Sequence, residues 1–166
     1  MKKILTLVLA LALSITALSG CGSKPAADKT PEELAELYSS AIMENGGEMA
    51  EYNPAFTQAK EDDGSAMVLE NMGLNTEDMA AFGISASLMN IKAYAIPAEG
   101  KEAAVMEALQ GYIDRTKSSF EMYLADQYEV AENARLETLE DGTILLVMCQ
   151  DQDTVFDAIA DATQAN

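Results

Sequence analysis

Residues 135–149, Arg135-Leu136-Glu137-Thr138-Leu139-Glu140-Asp141-Gly142-Thr143-Ile144-Leu145-Leu146-Val147-Met148-Cys149, decide the fold. Arg135 to Leu139 reads as one arm of a hairpin and Thr143 to Cys149 as the other, with Asp141-Gly142 as a type I′ turn signal between them. Ile144-Leu145-Leu146-Val147-Met148 is apolar on both faces, the mark of a central strand. A central strand needs a second neighbour. The segment from Leu88 supplies it: Met89, Ile91, Ala93 and Ala95 alternate with Asn90, Lys92, Tyr94 and Ile96, predicting a strand with one face on a core. Pro97 ends it.

Between these strands lies a long helical pattern, about Lys101 to Leu124, with Val105, Met106, Leu109, Ile113, Phe120 and Leu124 on one stripe. Asp126-Gln127-Tyr128 reads as irregular. After the hairpin, Asp151 or Asp153 caps a last helix with Val155, Phe156 and Ile159 inward. The order strand, long helix, strand, strand, helix predicts an α+β fold with a small antiparallel sheet and helices on one face. Leu109, Ile113, Leu145, Val147 and Phe156 are expected to share one core.

Working toward the N-terminus, Asn75 is expected to cap a short helix with Thr76-Glu77-Asp78 in its first turn, closed by Gly83. Ser65 to Asn71 is helical, carrying Met67, Val68 and Met72, and Gly73 stops it. Tyr52 to Gln58 reads as a short edge strand interrupted near Asn53-Pro54. The first helix is well signalled. Thr30 stands at its N-cap, Pro31 at its first position and Glu33 closes a capping box, with Leu34, Leu37, Tyr38 and Ile42 on one face. Gly46-Gly47 ends it. No internal repeat appears.

The N-terminal segment carries an address. Lys2 and Lys3 precede an apolar stretch from Ile4 to Leu18, shorter than the roughly 20 residues of a spanning helix. Leu18-Ser19-Gly20-Cys21 follows and resembles the lipobox of bacterial lipoproteins, in which the chain is cut before a Cys that is acylated. Two acyl chains, at about 0.8 kcal/mol per buried CH₂, exceed the marginal binding of one. The small, polar segment Gly22 to Lys29 reads as a flexible tether. The expected organisation is a signal peptide over 1–20, a lipidated Cys21 and tether over 21–30, and one α+β domain over 31–166. The expected location is extracytoplasmic, on the outer face of the cell membrane.

Composition excludes more than it names. The 166 residues carry a formal charge of −18, and loss of Lys2 and Lys3 makes it −20. Nucleic-acid binding relies on a basic surface, so it is excluded. The surplus acid reads as a solvated, solubilising surface rather than a cation site. Glu61-Asp62-Asp63-Gly64 and Asp151-Gln152-Asp153 both lack the ligand ladder of an EF-hand. The chain has no His and no Trp. Missing His removes Ser-His-Asp and Cys-His nucleophile systems and the usual zinc and copper sites. Once Cys21 is lipidated, Cys149 is the remaining thiol, read as buried and inert. The methionines, among them Met43, Met67, Met72, Met79, Met89, Met106, Met122 and Met148, read as core filler. No cofactor, metal site or catalytic residue is expected.

Three stretches carry a family likeness: Leu88 to Lys101, Tyr123-Leu124-Ala125-Asp126-Gln127-Tyr128-Glu129-Val130, and Asp141-Gly142-Thr143-Ile144 on to Gln150-Asp151. Together with the lipobox they resemble an uncharacterised lipoprotein family of clostridial and related Firmicutes, domain-of-unknown-function family forty-three fifty-eight. The resemblance implies the same order of elements and a Gram-positive host, and brings no activity with it. At Ala125 the family pattern leads to an expectation of Pro; Ala is expected to let the helix run on.

The function expected is a non-catalytic binding or interaction module at the cell surface, meeting a protein or small ligand. One alternative is a cell-envelope enzyme that uses carboxylates alone, such as a glycan hydrolase. Another is an accessory ligand-binding lipoprotein of a transporter. Tyr94, Tyr112, Tyr123 and Tyr128 are the aromatics best suited to line a binding surface, and core-edge packing is the plainer use of each.

Overall fold

Thr30 and Glu33 start the first helix by satisfying each other's free donors. The Thr30 hydroxyl accepts from the Glu33 N–H at 3.3 Å, and the Glu33 carboxylate accepts from the Thr30 N–H at 2.8 Å. This capping box opens α1 (Pro31–Asn45), which buries Leu34, Ala35, Tyr38, Ala41 and Ile42. The computed structural model describes residues 29–47, 52–57, 65–87 and 90–164. Cys21, the leader, the tether as far as Asp28, Glu61 to Gly64, Leu88 and Met89 lie outside the described residues.

After α1 come β1 (Tyr52–Thr57), α2 (Ser65–Met72), a 3₁₀ turn (Thr76–Asp78), β2 (Met79–Ser87) and β3 (Asn90–Pro97). Then follow α3 (Glu102–Phe120), α4 (Ala125–Glu132), β4 (Arg135–Thr138), β5 (Ile144–Met148) and α5 (Gln152–Gln164). The strands form one antiparallel sheet in the order β1-β2-β3-β5-β4. The α+β class and the antiparallel sheet are as expected, and β5 sits between β3 and β4. The helices, however, cover both faces of the sheet rather than one. Helices α2, α3 and α4 pack on the face bearing Phe82, Ile84, Ile91, Ala93, Leu146 and Met148. Helices α1 and α5 pack on the face bearing Ala81, Tyr94, Ile96, Leu145 and Val147. The five residues expected in one core therefore divide: Leu109 and Ile113 belong to the first, and Leu145, Val147 and Phe156 to the second.

Residues 79–82, expected within a short helix closed by Gly83, instead begin the strand β2. Gly83 does not cap anything; it pairs with Tyr94 across β2 and β3, and the Tyr94 ring lies over it. A Cβ on Gly83 would come 2.4 Å from Tyr94 Cε1, so the absent side chain is what admits the ring. Gly83→Ala is expected to destabilise the domain by about 1–3 kcal/mol through overpacking. Urea unfolding measures this; a neutral Gly83→Ala variant would mean that the ring does not rest there.

The hairpin also differs in its turn. Leu139 and Thr143 close it, with the Leu139 N–H donating to the Thr143 carbonyl at 2.8 Å. Three residues lie between them, and Gly142, at φ 84°, takes the left-handed position. This three-residue loop replaces the expected two-residue type I′ turn and frees the Asp141 side chain to act elsewhere.

The long helix ends early. The Leu124 N–H makes a last α-helical bond to the Phe120 carbonyl at 3.1 Å, and the Tyr123 N–H donates to the same carbonyl at 3.2 Å, tightening the final turn. The chain turns, and a separate helix, α4, starts at Ala125 where an uninterrupted helix and then irregular chain were expected. Ser118 and Ser119 hydroxyls donate back to the carbonyls of Asp114 and Arg115, a habit that weakens a helix end.

These connections define two poles. The β4–β5 loop, the end of β3 and the start of α3 lie at one. The first half of α1 reaches the same pole, since the Tyr38 hydroxyl donates to Asp141. At the other lie Cys149, Asn90 and the end of α1, where Gly47 lies beside Val155.

Candidate functional site

The turn between α3 and α4 puts three consecutive large apolar side chains into solvent: Met122 (77% exposed), Tyr123 (84%) and Leu124 (49%). Leu124 continues the α3 stripe in the sequence, but the helix stops at Phe120 and the turn swings it outward. Singly exposed apolar residues are ordinary; a run of three at a corner is not. Glu121, Asp126 and Glu129 stand exposed around it, and none of them holds an ion pair among the described residues. The nearby cation, Lys117, is already engaged. Its ammonium binds Glu132 at 2.9 Å and lies 5.1 Å from the centre of the Tyr128 ring. That pairing raises the Lys117 pKa and lowers that of Glu132.

Of the four tyrosines suited to a binding surface, Tyr123 and Tyr128 flank this corner. Tyr112 is half-buried against the α3 core, and burial raises its phenol pKa. Tyr94 is fully buried. The methionines divide similarly. Met72, Met79 and Met148 fill the core as expected, whereas Met43, Met67 and Met122 are exposed.

A second feature is a pair of adjoining shallow grooves, of about 210 and 710 Å³, around the 3₁₀ turn. Both are lined by Gly73, Leu74, Asn75 and Asp78. Asp78 is held by Lys101 at 2.7 Å and by the Asn75 amide at 3.1 Å. Those bonds push its carboxyl below the usual range, the reverse of what a general acid needs. Among the described residues no group of three or more His, Cys, Asp or Glu is placed to hold a metal ion.

Two polar clusters lie beneath α1 and α5, and sequence reasoning missed both. In one, the Tyr38 hydroxyl donates to Asp141 Oδ2 at 2.8 Å, while Asp141 Oδ1 accepts from the Thr143 N–H at 2.8 Å. Ser39 and Tyr94 hydroxyls meet at 3.2 Å beside it, and the two tyrosine rings stand 5.6 Å apart. This cluster ties α1 to the hairpin loop. Burial, the Asp141 charge and the bond to it hold the Tyr38 phenol well above its ordinary value near 10. The folded state therefore keeps a proton that the unfolded chain releases, so this stability is complete below about pH 10 and is lost as pH rises toward the folded value. Unfolding free energy is expected to fall as pH rises above about 10, and Tyr38→Phe should flatten that fall. An unchanged slope in Tyr38→Phe would remove Tyr38 as its source.

The other cluster sits at the far pole. Lys92 was read as solvent-facing but is 1% exposed, its ammonium donating to the Asn90 amide oxygen. Cys149 lies on the same face, buried as expected. Burial pushes its thiol up, although the Lys92 charge and the Asp151 N–H pull the other way. A raised, covered thiol is a poor nucleophile.

The fold is α+β, and among the described residues three consecutive exposed large apolar side chains stand at the α3–α4 turn. Residues 54–149 match the family described as "Domain of unknown function (DUF4358)", and the chain belongs to that family. The matched segment runs from within β1 to the end of β5; α1 and α5 fall outside it. No curated protein and no solved structure matches the chain.

Proposed function

We propose that this protein is a lipid-anchored, extracytoplasmic binding module, displayed from the outer face of a Gram-positive cell membrane and non-catalytic. The observation that carries the binding role is the Met122-Tyr123-Leu124 corner, an apolar anchor held in solvent by a defined turn. A tyrosine flanked by two long aliphatic side chains suits the centre of a protein interface. The grooves support the same reading. They are shallow, and the Asp78 carboxyl they contain is tied to Lys101, where an acid/base enzyme needs a dry carboxylate of raised pKa.

The anchor rests on Leu18-Ser19-Gly20-Cys21 and the basic and apolar segments before it. No helix among the described residues is long and apolar enough to cross a membrane. Cys21→Ala is expected to abolish incorporation of a palmitate analogue and to move the protein out of the washed membrane fraction. Label retained by the Cys21→Ala protein would overturn the anchor.

A further inference from the structure

We infer that the α3–α4 corner docks into a partner protein whose surface offers an apolar recess ringed by Lys and Arg. This inference rests on the tethered binding role and adds the partner's chemistry. Two observations carry it. The first is the anchor: Met122, Tyr123 and Leu124 are exposed at one turn and offer apolar surface to a partner. The second is the rim. Glu121, Asp126 and Glu129 leave negative charge around the anchor, because Lys117 is already neutralised by Glu132.

Together these exclude the other occupants. An anionic bilayer repels the rim. A second copy of this chain, with its formal charge of −18, opposes acid with acid. A basic-rimmed recess gains from both parts: the apolar side chains leave water, and the rim steers the encounter and rejects acidic surfaces.

The test is photo-crosslinking in the source cell, with benzoylphenylalanine replacing Tyr123 in the full-length protein. The expected product is a discrete adduct whose crosslinked peptide, read by mass spectrometry, lies in an apolar recess flanked by Lys or Arg. Combined Glu121→Lys, Asp126→Lys and Glu129→Lys is expected to cut adduct yield about tenfold, and high salt in washed membranes should also lower it. The same reversal at Glu77 and Glu107, on the grooves, should leave it unchanged. An adduct to lipid, an adduct to a second copy, a yield indifferent to both rim charge and salt, or no adduct would each overturn the inference. Fractionation of the same cells keeps the two levels apart. A protein adduct that ignores rim charge defeats the partner chemistry and leaves the binding role, whereas unlipidated, soluble protein defeats the tether.

Discussion

Leu145→Ala and Leu146→Ala, substitutions at adjacent residues, are each expected to destabilise the domain by about 2–5 kcal/mol. The two side chains point to opposite faces of β5, and both are fully buried. Leu145 packs beneath α1 and α5, and Leu146 beneath the α2–α4 layer. A sheet with one solvated face would make one of the two substitutions nearly silent. Denaturant unfolding of both variants separates these cases, and a silent member of the pair would remove one of the helical layers.

Phe156→Ala is expected to cost about 3–5 kcal/mol. The ring is 2% exposed, and the Arg135 guanidinium stacks 3.9 Å from its centre. Arg135 also reaches Asp157 at 2.8 Å and Glu137 at 2.8 Å, so one side chain joins the edge strand β4 to α5 through the ring. Removing the ring leaves a cavity and takes away the surface that orients Arg135. Phe156→Leu keeps much of the volume and should cost less than about 1.5 kcal/mol. Equal losses for Ala and Leu would show that volume does not govern the site.

Much of this architecture is legible in the residues because local and global signals agree. The capping box at Thr30 and Glu33 formed as read, and so did the central position of Ile144 to Met148. That strand already implied helices on both faces, since a run apolar on both sides needs cover on both. The one-sided expectation goes with the reading of residues 88–96 as a strand with one face on a core, Lys92 falling on the other. A buried lysine beside Asn90 looks, by alternation alone, like a surface lysine. Strand β2 was hidden for a different reason. Met79-Ala80-Ala81-Phe82 favours a helix by propensity, and the strand is selected by its pairing with β3 and by the Tyr94 ring over Gly83. The corner was concealed by its own stripe. Leu124 falls at a helical spacing from Phe120, and the back-bonding of Ser118 and Ser119 is the signal that the helix was about to end. Core-edge packing was the plainer reading of all four tyrosines, and Tyr123, 84% exposed, departs from it; its neighbours Met122 and Leu124 had been assigned to the interior.

The pairing of α1 with α5 has a consequence for folding. One helix is made before any strand and the other after all of them, yet together they seal the same face of the sheet. The bond from Tyr38 to Asp141 spans 103 residues, and such distant closures slow folding. A chain whose strands have paired before α5 docks therefore presents a Leu145 and Val147 face that still lacks half its cover. Such a partly folded chain is the species most open to aggregation or to capture by a chaperone, until the 13 residues of α5 dock.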